Sequence, residues 1–203
     1  VWYTMRLWQM RKSISAPLSL SSLTSLDNCF QPAWQHRSQT VREWGKDHTG
    51  LIQYRFNAQG YRHATYYDWP AEWAFFGNSI VFGVGVPESQ ILTSYFERSQ
   101  NYGLSGPYMN HHSVTNLAAF VRSACYTPQT RVVFFWIDRD EDIRQLMCQV
   151  SALVPRCLHI SSGQHRSNAV NLMPAVDADV SGTHPGPRTH KIWADTIRLL
   201  CHA

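Results

Sequence analysis

The chain has 203 residues, 44% apolar, 13% aromatic and 16% charged, a length that suits one domain with a sizeable core and a balance that excludes a mainly disordered chain. The net charge is +4, and Arg6, Arg11 and Lys12 all precede the first acid, Asp27, so the remainder is nearly neutral and presents no basic face for nucleic acid. The longest unbroken apolar run, Val132 to Ile137, is six residues, too short for a membrane span.

Residues 1–50 read as a poorly defined N-terminal extension, and residues 51–203 as the folded domain. Within the extension, Ser13 to Leu26 is Ser/Leu-rich and follows basic residues, as a targeting segment or a surface tail would. Trp73 to Phe76 is an apolar run stopped by Gly77, the pattern of a buried strand. Pro87 suits the first turn of a helix over Glu88 to Arg98. Val114, Leu117, Ala118 and Val121 have helical spacing and predict a helix over about 111–124. Arg131 to Ile137 is apolar on both faces, which predicts a central strand of a parallel sheet. Ile143, Leu146, Met147 and Val150 mark another helix, Cys157 to Ile160 a short strand, and Trp193, Ile197 and Leu200 a C-terminal helix. The alternation predicts an α/β fold: a three-layer α/β/α domain with a parallel, flavodoxin-like sheet.

Five cysteines occur, Cys29, Cys125, Cys148, Cys157 and Cys201, with no C-x-x-C pair. The odd count argues against a disulfide framework or zinc knuckle, and three of the five lie in apolar stretches as small buried hydrophobes, which favours a reducing compartment such as the cytoplasm without fixing the location. No cofactor or metal is expected. His111-His112 lacks a third ligand at helical spacing, and Gly83 and Gly85 lack the third glycine of a dinucleotide fingerprint. The aromatics Tyr54, Tyr61, Tyr66, Tyr67, Trp69 and Trp73 would line a sugar-binding wall or pack beneath a loop.

Parallel sheets bind ligands beyond the carboxyl ends of their strands, and three turns reach that edge. Gly77-Asn78-Ser79 places a hydroxyl on a tight strand-to-helix turn, where it serves as a nucleophile or as a helix cap. Asn101-Tyr102-Gly103-Leu104-Ser105-Gly106 is a glycine-bearing loop that allows close backbone approach. His184-Pro185-Gly186-Pro187 holds an imidazole on a rigid turn before the last helix, as a general base or as a surface or capping residue.

Taken in order, these blocks resemble the SGNH/GDSL hydrolase family. Its first block, G-D-S followed by T-F-G-x-G-V, is similar to Gly77-Asn78-Ser79-Ile80-Val81-Phe82-Gly83-Val84-Gly85-Val86-Pro87. Its second, N-x-G-x-S-G, is matched by Asn101, Gly103, Ser105 and Gly106, and its last by His184-Pro185-Gly186. Asn57 to Arg62 resembles the N-x-x-G-[FY]-R segment that many members carry ahead of the first strand. The likeness covers about residues 54–200, so 51–203 is expected to be an SGNH-hydrolase-like domain.

The resemblance implies serine-ester chemistry. Ser79 would be the nucleophile, His184 its general base, and the backbone N–H groups of Ser79 and Gly106 the oxyanion hole. The substrate would be a small acyl ester or an acylated glycan, such as an O-acetyl sugar. Alternatives are an acyltransferase using the same serine, or a catalytically degenerate binding or structural module on the same fold. The chain departs from the pattern in four places. Asn78 replaces the first-block acid. Ser181 occupies the place of the triad acid, three residues before the histidine, so the candidate acid is Asp179, five before, brought to the imidazole by a loop, with Asp177 seven before; without an acid, a backbone carbonyl would orient the ring of a Ser–His dyad. Arg139 sits near the oxyanion-donating Asn of the third block, as a substitute donor or as part of a charge cluster with Asp138, Asp140, Glu141 and Asp142. Finally, Glu97-Arg98-Ser99-Gln100 is polar where members carry a second apolar strand, which predicts a short or missing strand.

Overall fold

The structure, a computed structural model, describes residues 39–42, 51–54, 61–62, 70–104, 109–123, 125–136, 143–161, 169–172, 174–179, 182 and 184–202. The segment 13–26 lies outside them. Strands β1 (Gln39–Arg42) and β2 (Leu51–Tyr54) pair antiparallel, Gln39 opposite Tyr54 and Arg42 opposite Leu51.

Among the described residues the main sheet has five strands: β3 (Trp73–Gly77), β4 (Ser99–Gly103), β5 (Arg131–Trp136), β6 (Leu158–Ser161) and β7 (Val170–Asn171). All neighbours are parallel, in the order β4-β3-β5-β6-β7. Counted within this sheet, the order is 2-1-3-4-5, that of flavodoxin-like folds. Helices α2 (Met109–Arg122) and α3 (Ile143–Leu153) cover one face, and α4 (Pro187–His202) the other.

The period of two explains the three layers. On β5, Val132, Phe134 and Trp136 point to α2 and α3, where they meet Leu117, Phe120, Leu146 and Val150. Val133 and Phe135 point the other way, to Trp193, Ala194 and Ile197 of α4. Both faces are covered, so a central strand must be apolar at successive positions. Tyr61 and Trp73, read above as lining a sugar-binding wall or as packing, both pack, and on opposite faces: Tyr61 edge-on against Tyr102 at 4.9 Å, and Trp73 against Phe96 at 4.7 Å. They are core residues. Of Tyr54 only the strand position is described, and Tyr66, Tyr67 and Trp69 lie outside the described residues.

Two expectations are corrected. Glu88 to Arg98 is not an α-helix but two 3₁₀ turns, Glu88–Gln90 and Leu92–Tyr95, broken at Ile91, which is extended at φ −71°, ψ 157°. The second strand is neither missing nor short. β4 pairs with β3 along all five residues and is buried throughout despite the sequence Ser-Gln-Asn-Tyr-Gly. Its polar groups find partners in the connection that precedes it. Ser99 Oγ donates to the Thr93 carbonyl at 2.7 Å, and Asn101 Nδ2 donates to the Val81 carbonyl at 2.9 Å. Asn101 Oδ1 accepts from Gly103 N at 2.9 Å. Hydrogen bonds of this kind let polar side chains be buried in a strand.

Gly77 ends β3 with φ +142°, and a Cβ there would lie 2.5 Å from the Phe135 carbonyl oxygen. Gly77→Ala is therefore expected to cost about 3 kcal/mol through backbone strain and displacement of β5. Urea unfolding checks this, and a loss below about 1 kcal/mol would count against the tight approach.

Candidate functional site

The chain leaves β3 toward β4 on one side and returns as β5 on the other, which opens a crevice at the carboxyl ends of these strands. Helix α1 (Ser79–Phe82) begins in that crevice, with only Asn78 between it and β3. Asn78, 1% exposed, is its N-cap: Oδ1 accepts from Ile80 N at 2.9 Å. Sequence alone left Ser79 open as a helix cap. Because Asn78 fills that role, the Ser79 hydroxyl is available for another partner.

That partner comes from 105 residues further along: His184 Nε2 lies 3.0 Å from Ser79 Oγ. His184 is held by a narrow hairpin-like turn just before α4. Asp179 N donates to the His184 carbonyl at 2.8 Å, Gly186 N to the Asp177 carbonyl at 3.0 Å, and Ala178 bridges Pro185 antiparallel. The pairing sets Asp179 directly opposite His184. Its side chain is fully buried; Oδ1 accepts from His184 N at 3.2 Å, and Oδ2 lies 3.8 Å from His184 Nδ1. The last spacing is that of an ion pair, longer than a hydrogen bond. A carboxylate on the Nδ1 side favours the proton there and leaves Nε2 to accept from the serine hydroxyl.

Asp177 does different work. Its carboxylate accepts from Arg188 N at 2.9 Å and Thr189 N at 2.8 Å, so it caps the start of α4. Burial pushes its carboxyl pKa up, but hydrogen bonds from Thr189 and Arg188 and the Arg188 charge outweigh that and hold it below the usual value. Gly186 permits the closure, since a Cβ would stand 2.4 Å from the Ala178 carbonyl.

Gly103 lets the α1 backbone rest on the end of β4: a Cβ there would lie 2.1 Å from Phe82 N. The Gly77 carbonyl accepts from Leu104 N and from Ser113 Oγ, both at 3.0 Å, which ties the turn before Ser79 to β4 and α2. Among the described residues no acceptor takes the Ser79 N–H, and a first-turn amide of this kind can meet an anion. Ser105, Gly106, Asp138, Arg139 and Ser181 lie outside the described residues, as do Asn57 and Gly60.

A second serine–histidine pair has the opposite polarity. His159 Nδ1 accepts from Trp136 Nε1 at 3.0 Å, which puts the proton on Nε2 and makes the ring a donor to Ser151 Oγ, also 3.0 Å away. Such a ring cannot take the Ser151 proton, and the pair is structural. Burial lowers the His159 pKa as well.

Two buried side chains beside the site gave no sequence signal of their role. His190, in the first turn of α4, is 1% exposed, and its Nδ1 accepts from Leu92 N at 2.8 Å. Arg62, also 1% exposed, donates to carbonyls of the loop after α1. Arg62 was legible only as part of the N-x-x-G-[FY]-R likeness.

Among the described residues no cluster of three or more His, Cys, Asp or Glu side chains could hold a metal ion, and no helix is long and apolar enough to cross a membrane. Cys125, Cys148, Cys157 and Cys201 are free thiols, and burial holds the Cys157 pKa well above the usual value. Comparison with protein-family models, with curated proteins and with solved structures gives no match.

Proposed function

We propose that this chain is a serine-dependent ester hydrolase of SGNH type, acting on short acyl esters such as an O-acetyl group on a glycan. The observation that carries the reading is the 3.0 Å approach of His184 Nε2 to Ser79 Oγ, with Asp179 on the far side of the ring. Neither local sequence nor packing of the sheet requires that convergence. The contrast with the His159 ring, whose tautomer is set the wrong way, supports assigning the base role to His184 alone of the two.

In the proposed reaction Ser79 Oγ attacks the ester carbonyl and its proton passes to His184 Nε2. The Ser79 N–H donates to the developing oxyanion, and the likeness to the family would add the Gly106 N–H and the Arg139 side chain as donors. Collapse breaks the ester C–O bond, and the leaving alcohol takes the proton from His184. Water then attacks the acyl-serine with its proton taken by His184, which releases the acid and restores Ser79. A sugar hydroxyl in place of that water would make the same intermediate a transferase.

The test is covalent labelling by a fluorophosphonate. Label is expected on Ser79 and absent from Ser79→Ala, while Ser151→Ala keeps it. Hydrolysis of p-nitrophenyl acetate should be lost in Ser79→Ala as well. Undiminished labelling in Ser79→Ala would remove this serine from the chemistry. Folded protein with neither label nor turnover would make the domain a binding module.

A further inference from the structure

Resting on that reading, we propose that Arg62 is a positioning residue for Asp179, acting through a backbone seat that Gly85 provides. The Arg62 guanidinium donates through Nη1 to the carbonyls of Phe82, at 2.9 Å, and Gly83, and through Nη2 to the carbonyl of Val86. These carbonyls bracket Gly85 on both sides. A planar guanidinium with five donors can hold several carbonyls in one fixed arrangement, whereas an ammonium is a point charge on a flexible stem.

Gly85 has φ +70°, and a Cβ on it would lie 2.0 Å from Asp179 Oδ2. The carboxylate therefore rests directly on the glycine backbone. Asp179 in turn meets His184 through both oxygens, and His184 meets Ser79. Close-packed interiors transmit displacement, so a shift of the 83–86 loop moves the wall against which the acid is set. Arg62 also fixes the C-terminal end of α1, the helix that begins at Ser79, so one buried side chain sets the position of both ends of the array.

A double-mutant cycle tests this. Arg62→Lys and Gly85→Ala are each made in the parent and in Asp179→Asn. The readouts are the rate of fluorophosphonate labelling at Ser79, normalised to the folded fraction by circular dichroism, and kcat and KM for p-nitrophenyl acetate. In the parent, each substitution is expected to lower kcat by ~10²-fold through misplacement of the acid, with KM nearly unchanged. In Asp179→Asn, where there is no longer a carboxylate to place, Arg62→Lys should cost no more than about twofold, whereas the Cβ of Gly85→Ala still meets the asparagine side chain, so the cycle is decided by Arg62→Lys. Equal losses in both backgrounds would overturn the proposal and leave Arg62 a stabiliser of the fold. Absence of Ser79 labelling in the parent would overturn the hydrolase reading along with it, so the two failures are told apart by the parent alone.

Discussion

Ser79→Ala, His184→Ala and the double variant are expected to lose turnover by the same factor, on the order of 10⁶, because a nucleophile without its base is no better than no nucleophile. The two side chains form one unit through the 3.0 Å contact, so their contributions do not add. Asp179→Asn is expected to leave more, a loss of roughly 10³- to 10⁴-fold, since an amide beside Nδ1 no longer holds the proton on that side of the ring. The 3.8 Å separation between Asp179 Oδ2 and His184 Nδ1 places this variant toward the smaller loss, unless the pair tightens when substrate binds. Initial rates with p-nitrophenyl acetate measure the loss in all four variants. Additive losses for Ser79 and His184 would mean that they act separately, and an undiminished rate in His184→Ala would end the assignment of a base.

Acidification from pH 6.5 to 4 is expected to lower the folding stability by about 3 kcal/mol through His190 alone, at 1.36 kcal/mol per pH unit. Burial first, and the charge of Arg62 second, push the His190 pKa down to about 4. The nearby Asp177 charge and the Pro185 carbonyl act the other way without reversing the result, and His184 adds to the lowering. The sign follows from which state binds the proton. Below the ordinary histidine value of 6.5 the unfolded chain takes up a proton that the folded chain refuses until pH 4, so stability falls across that window and levels off beneath it. His112 and His159, also lowered mainly by burial, contribute in the same direction. Urea unfolding at pH 7 and pH 4.5 measures the slope. His190→Asn can still accept from Leu92 N through Oδ1 and should flatten most of it. An unchanged slope in that variant would place the acid sensitivity elsewhere.

Arg131–Trp136 was legible as a central strand because a strand covered on both faces has no choice but continuous apolar residues. The helices over 109–122, 143–153 and 187–202 were legible because one apolar stripe at helical spacing must face the sheet. The turn at Ser79 and the imidazole at 184 stood out for a related reason: glycine, proline and a cap residue at fixed offsets are local signals. What local pattern could decide, the amino-acid sequence by itself determined.

The rest depended on partners distant in the chain. β4 is polar and yet buried because its hydrogen-bond partners, Thr93 and Val81, come from the connection folded against it, and no periodicity reports them. The segment after Pro87 forms 3₁₀ turns rather than a helix, with Leu92 N given to His190 from α4. Asp179 stands opposite His184 because the strand-like pairing of 177–179 with 184–186 closes a turn of that length; the family spacing falls on Ser181, and sequence could name Asp179 as the candidate acid without showing what brings it to the ring. Arg62 and Gly85 matter only once the loop, the carboxylate and the imidazole are stacked in space. Burial and hydrogen-bond satisfaction are properties of what surrounds a residue, and only the tertiary structure supplies the surroundings.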